Sequence, residues 1–499
     1  MALPSSNSAG LAHESVLGNL CESGKRVAFV TVPLSGHMRV AVALAAETFE
    51  RGYEVDFIVG MSGISKELRE MESRGPAFSL FGLIKGADTT ERISWASVAS
   101  STGRLGGSRV KLFEEIARVA EDQEDFNERL LEIVAILAAR RPDVVVLDHS
   151  QMVVREWAQK QGIPTIVMHT PYYATGSPTG CAAMSGEWEA RLAEVIRERN
   201  PMGKILKGRR ALGLHMAQEE NAHIPEGAKS APMAHGLEPH TLVFCEPELL
   251  NDARVPPRVH AVGPCLVEDR RTADENLLPW LQDAVACNEG VLYVALGTLA
   301  NGFLTASAVH SLLDAFSGLG AGWRVLWSLP KAQQHLLKES GRTYDMPWLR
   351  VENFVRQRAV LAHPAVGVFL SHGGQSSVNE ALSAGVPVVC MPLFCDQYEV
   401  AEAVRKHGLG LVYHKDELLD HDTKRLTATI LRASSTPMFR SMTHRYARLM
   451  QLRSGCARAV EVIESVMHAG ADFQELWQGL PEGEAEQISV DESTRRGGA

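Results

Sequence analysis

GVFLSHGGQSSVNEALSAGVPVVCMPLFCDQ, Gly367 to Gln397, is the stretch from which the fold can be read. Val368 to Leu370 is an apolar run suited to a buried strand, and a polar Gly-Gly turn follows it. An amphipathic helix comes next, then a second apolar strand that ends in Asp396-Gln397. A strand that passes through glycines into a helix leaves backbone N–H groups open at the helix N-terminus. With the helix dipole, these make a seat for phosphate. His372, Ser376 and Ser377 add side-chain donors there, beside the Gly374 backbone. Glu380, about one turn further on, is placed to accept from ribose hydroxyls. Asp396 and Gln397 lie at the carboxyl end of the next strand, where open α/β sheets bind ligands. Phosphate, ribose and polyol contacts within one βαβ unit describe a nucleotide-sugar site.

Working outward, the same alternation of strand and helix occurs twice. Strands are expected at 26–32 (RVAFVTV), 53–59, 143–148 (DVVVLD) and 164–168, with a long amphipathic helix around 112–140. After a Pro-rich region near 256–264 they recur at 291–296, 323–329, 349–354, 366–370 and 386–391. Near-continuous apolar strands separated by helices imply parallel, doubly wound sheets. The expected organisation is a mobile tail over 1–24, one Rossmann-like domain over 25–265 and a second over 266–455. A terminal helix spans 456–480 and an acidic tail 481–499. The poorly periodic region 171–240 is expected to shape an acceptor pocket.

HGGQSSVNE followed by GVPVVCMPLFCDQ resembles the donor-binding signature of the UDP-glycosyltransferases, and the likeness extends upstream through Phe354, Gln357 and His363 to Gly367. The resemblance implies an α/β GT-B fold, two Rossmann-like parallel-sheet domains facing across a cleft, with the terminal helix crossing back to the first domain. It also implies transfer of a hexose, glucose in particular, from a UDP-sugar to a small lipophilic hydroxylated acceptor. Inversion and independence of metal or other cofactor go with it. The family's base maps onto His37, at the Gly-His step of PLSGHM, with Asp148 orienting it. Donor contacts map onto Thr298, Phe354, Gln357, His372, Gly374, Ser376, Ser377, Glu380, Asp396 and Gln397. Phe354 replaces the tryptophan of plant members, Arg356 a proline, Gln375-Ser376 a Trp-Asn pair and Val400 an asparagine.

The residues themselves permit plainer roles. His37 could merely cap a helix, Asp148 could cap the helix that follows it, and Phe354 could be a core aromatic. His149 is read as structural and pointing away from the base. Asp420-His421-Asp422 forms a D-x-D, but between helical runs it reads as a cap rather than a metal triplet. A nucleotide-sugar 2-epimerase or a non-catalytic nucleotide-sugar-binding protein are the rival readings.

Composition sets the remaining bounds. The 499 residues carry a net charge of −10, which argues against a nucleic-acid surface. The basic run 204–210 is a solvated segment. Eight cysteines without a CxxC indicate neither zinc nor a disulfide framework. No apolar run reaches the ~20 residues of a membrane span, and residues 1–24 do not read as a secretory signal. A cytoplasmic location is the expectation.

Overall fold

The computed structural model describes residues 24–83, 123–170, 240–250, 258–266, 276–297, 304–393, 396–419 and 423–478. The first sheet contains β1 (Arg26–Val30), β2 (Glu54–Gly60), β3 (Phe78–Leu83), β4 (Val144–Asp148), β5 (Thr165–His169), β6 (His240–Val243) and β7 (Val259–Ala261). Its seven strands run in the order β3-β2-β1-β4-β5-β6-β7, every neighbouring pair parallel. The second sheet contains β8 (Gly290–Ala295), β9 (Trp323–Ser328), β10 (Leu349–Glu352), β11 (Val366–Ser371), β12 (Val388–Cys390) and β13 (Gly410–Val412). Here the order is β10-β9-β8-β11-β12-β13, again all parallel. This is the GT-B arrangement of two parallel-sheet α/β domains.

The strands are parallel because helices cover both faces, so no face needs polar residues. Every residue of β4 and β11 is buried, Asp148 and Ser371 included. Burial of each valine or leucine contributes about 1.5–3 kcal/mol. A buried aspartate ending such a strand works against that gain, and its partners must be found in the site.

Strand order reverses between β1 and β4 in the first sheet and between β8 and β11 in the second. At such switch points the connecting segments leave in opposite directions and open a crevice at the carboxyl ends. Four strands escaped the sequence reading. β3 and β6 border regions of irregular sequence, and β7 and β13 are only three residues long. The helix expected around 112–140 is described from Gln123 to Arg140. The 84–122, 171–239 and 204–210 segments, the D-x-D at 420–422 and both tails lie outside the described residues.

After the second domain the chain returns to the first. The helix Gly455–Gln478 inserts Ala459, Val460, Ile463, Val466 and Met467 into the core beneath the first sheet. Arg51 Nη1 donates to both Glu464 carboxylate oxygens at 3.2 Å, and Arg458 Nη2 to the Ala261 carbonyl at 2.9 Å. Gly455 lies against the Gly263 and Pro264 carbonyls, so closely that a Cβ would sit 2.3 Å from the Pro264 oxygen. Two chain crossings therefore meet between the domains, which limits how far the cleft can open.

Candidate active site

β1 delivers the chain through Pro33 into the helix Ser35–Glu50, so His37 stands in that helix's first turn. Leu34, the residue before the helix, gives no side-chain cap. Asp148 ends the adjacent strand β4. His37 Nδ1 and Asp148 Oδ2 are 2.7 Å apart, while Oδ1 accepts from Ser150 N at 3.0 Å and Ser150 Oγ at 2.6 Å. Burial works against ionisation of Asp148. The His37 hydrogen bond, the neighbouring imidazoles and Ser150 outweigh it and hold the carboxyl down at about 2. An ionised carboxylate accepting from Nδ1 fixes the tautomer with Nε2 free as an acceptor, the arrangement a general base needs. Asp148 does not cap the following helix, whose N-cap is Gln151.

His149 corrects the sequence reading. Its ring lies against His37 with centroids 5.3 Å apart, and its Nδ1 is 3.5 Å from Asp148 Oδ1. Strand alternation would turn the residue after Asp148 away, but β4 stops at Asp148 and the pleat with it. Burial keeps the His149 pKa below its usual value, partly offset by the charge on Asp148.

Across the cleft, β11 passes into the Gly373-Gly374 turn and the helix Gln375–Ser383. Gly374 at the N-cap offers no side chain, and Ser376 and Ser377 stand in the first turn. His372 folds back under this turn. A Cβ on Gly374 would lie 2.5 Å from its Nε2, and one on Gly297, after β8, would lie 2.6 Å away. Both glycines are thus required for the imidazole to fit. Burial drives the His372 pKa down to about 4, opposed by a hydrogen bond to the Ala295 backbone. At neutral pH this group contributes a dipole, not a charge, so the positive field at the turn comes from backbone amides.

Glu380 is 4% exposed and already engaged. Its Oε2 accepts from Gln357 Nε2 at 2.7 Å and its Oε1 from Arg39 Nη1 at 2.6 Å. Gln357 Nε2 also reaches Ser377 Oγ at 3.2 Å, and Tyr293 Oη donates to Gln357 Oε1 at 3.3 Å. Glu380, Gln357, Ser377, Tyr293 and Arg39 thus form one network. Tyr293 and Arg39 are its unforeseen members, the latter two residues beyond His37 and in the other domain. Phe354 is 67% exposed and lines the cleft, so it is no core aromatic. Gln397 is buried and its Oε1 accepts from Leu393 N at 2.9 Å, bracing the loop after β12. Asp396 occupies the N-cap of the helix Gln397–Lys406 without a side-chain cap bond. Thr298 lies outside the described residues.

Between these groups is a cleft of about 560 Å³, bordered by Pro33, Met38, Arg39 and Val42 on one side and Phe354, Gln357, Ser376 and Glu380 on the other. Besides Arg39–Glu380, contacts between the domains include Asn379 Nδ2 donating to the Phe244 carbonyl at 2.7 Å and Arg453 Nη1 donating to Glu248 Oε1 at 2.9 Å.

A family model described as UDP-glucoronosyl and UDP-glucosyl transferase matches residues 269–474, the half that contains the anion turn. Over those residues the chain is similar to the UDP-glycosyltransferases. It is 29% identical over 285 residues to UDP-glycosyltransferase 1 of Phaeomoniella chlamydospora, covering 54% of this chain and 57% of that relative. It is 26% identical to 4'-demethylrebeccamycin synthase of Lentzea aerocolonigenes, over 89% of this chain and 100% of that protein. The crystal structure of the glycotransferase of kitacinnamycin superposes with a TM-score of 0.60 at 21% identity, over 88% of this chain and 98% of that one. That structural likeness bears on fold alone. The His37–Asp148 pair at the ends of β1 and β4 and the glycine turn after β11 each stand where the strand order of their sheet reverses. No helix among the described residues is long and apolar enough to cross a membrane.

Proposed function

We propose that this protein transfers a hexose, glucose, from a UDP-sugar to a hydroxyl of a small lipophilic acceptor, with inversion and without a metal. The observation that carries this reading is the His37–Asp148 pair at 2.7 Å, at the switch point of the first sheet. His37 Nε2 takes the acceptor proton as the acceptor oxygen bonds to the anomeric carbon. The bond from that carbon to the diphosphate breaks in the same displacement, and Asp148 stabilises the imidazolium that forms.

The leaving diphosphate is held by the amides of the helix beginning at Gln375, whose dipole points at the charge that develops. Phe354 presents an open ring for stacking on the base. Glu380 exchanges its contact with Arg39 for ribose hydroxyls when the donor enters. Pro33, Met38 and Val42 give the acceptor side of the cleft the apolar surface that a lipophilic substrate fits. The names of the relatives, glycosyltransferases among them, point the same way.

The test is incubation with UDP-glucose, with and without a mixture of phenols, terpenoid alcohols and sterols, followed by chromatography. Acceptor-dependent UDP release supports the transferase. UDP release with a C2-epimeric sugar and no acceptor would establish the epimerase, and binding without release a non-catalytic protein.

A further inference from the structure

Two imidazoles and a carboxylate converge where β1 and β4 end. One ligand atom from each of His37, Asp148 and His149 lies within 4.8 Å of the others. His37 Nδ1 is 2.7 Å from Asp148 Oδ2, and His149 Nδ1 is 3.5 Å from Asp148 Oδ1. The second contact is not a hydrogen bond, and His149 Nδ1 is buried with no hydrogen-bond partner. A buried polar atom left in that state calls for a cause. The proton-transfer reading uses His37 and Asp148 and gives this nitrogen nothing to do. Two imidazoles with one carboxylate are also the protein ligands that zinc accepts while keeping a fourth position open.

We infer that His37, Asp148 and His149 bind a zinc ion, and that the ion silences the base. Zinc bonds of about 2.0 Å in a tetrahedron place neighbouring ligand atoms about 3.3 Å apart. His149 already lies about that far from Asp148, at Oδ1 rather than the Oδ2 that meets His37, so the two imidazoles approach the ion beside opposite oxygens of one carboxylate. The His37–Asp148 pair must open by roughly half an ångström, which follows once zinc replaces the proton between them. Ser150 holds the carboxylate from the outer side through its N–H and hydroxyl, fixing the orientation of the ligand. The His37 and His149 side chains are 20% and 30% exposed and Asp148 is buried, so the ion can reach the site from solvent.

The consequence for His37 is chemical rather than steric. A neutral imidazole bound to zinc through Nδ1 carries its one proton on Nε2. Nε2 is the atom that must accept the acceptor's proton, and in that form it can only donate. Binding shifts the proton formerly shared with Asp148 from Nδ1 to Nε2 by exchange with solvent, with no net release, and a chelator that removes the ion restores the base.

The effect on turnover rests on the proposed role of His37; the binding does not. Chelator-stripped full-length protein is titrated with Zn²⁺ in competition with a chromophoric chelator. UDP release in the presence of acceptor is followed by chromatography over the same buffered zinc concentrations. Wild type, His149→Phe and His149→Asn are compared, each against its own zinc-free rate, with UDP affinity reporting an intact fold. The expected result is one zinc per chain, with affinity at least about tenfold weaker in both variants. Wild-type turnover should fall along the binding curve and return with EDTA, and the inhibition curves of the variants should shift by the same factor. No binding, or equal binding in all three proteins, overturns the zinc site. Binding that weakens in the variants while wild-type turnover is indifferent to zinc overturns the silencing, and with it the assignment of His37 as base.

Discussion

At the ends of β1 and β4 the work falls to side chains that carry charge; at the ends of β8 and β11 it falls to backbone. The first crevice holds an ionised, buried Asp148 against His37, a pair whose value lies in where one proton sits. The second holds Gly297 and Gly374 around an imidazole kept neutral by burial, with amides as the positive end. A proton acceptor must titrate. A diphosphate holder that titrated near neutrality would lose its grip with small changes in pH. On the proposed function, the same Rossmann-like framework gives one edge to acid–base chemistry and the other to a permanent dipole.

Substitutions on the first side should act on turnover with little effect on donor binding. His37→Ala should lower kcat/KM with an alcohol acceptor by about three orders of magnitude while UDP affinity changes less than about threefold. Loss of UDP binding in parallel would place His37 in the donor seat and erase the distinction. Asp148→Asn keeps the shape and removes the charge, so kcat should fall by about two to three orders. A variant within a few-fold of wild type would show that the carboxylate only braces the turn.

On the second side, stability rather than rate should respond to pH. His372 has a folded pKa of about 4 against an ordinary 6.5, so below pH 6.5 the unfolded chain binds the extra proton first. Stability should therefore fall as pH drops from 6.5 towards 4, by about 2 to 3 kcal/mol from this group at the lower end. Denaturant unfolding at several pH values should show a shallower acid slope in His372→Asn; an identical slope would mean the imidazole is not desolvated. The smallest effect belongs to the contact that joins the two sides. Glu380→Ala should raise the donor KM about tenfold with kcat within a few-fold, since ribose contacts serve binding more than chemistry. An unchanged KM would leave Glu380 as a partner of Arg39 and Gln357 only.

The donor side was the more legible half of the sequence. Its chemistry is local, and HGGQSS brings turn, helix start and hydroxyls together within one βαβ unit. The places of His37 and Asp148 at strand ends were also readable, but their roles came from the resemblance, since position alone favours a helix cap. Arg39 was not, since its partner Glu380 is 341 positions away and nothing in the first helix specifies a cross-domain ion pair. His149 was missed because alternation was extended one residue past the end of β4. Gln397 was assigned to sugar hydroxyls from its place after a strand, yet its Oε1 accepts from the Leu393 amide. Helix-start residues have both options open, and only packing chooses between them.

The contrast between the two crevices depends above all on His37 removing a proton. The direct measurement is transfer by wild type and His37→Ala to a series of phenols of falling pKa, at fixed UDP-glucose. If His37 is the base, the variant should gain on wild type steadily as the phenol becomes acidic enough to ionise unaided. A gap of constant size across the series would contradict proton removal by His37.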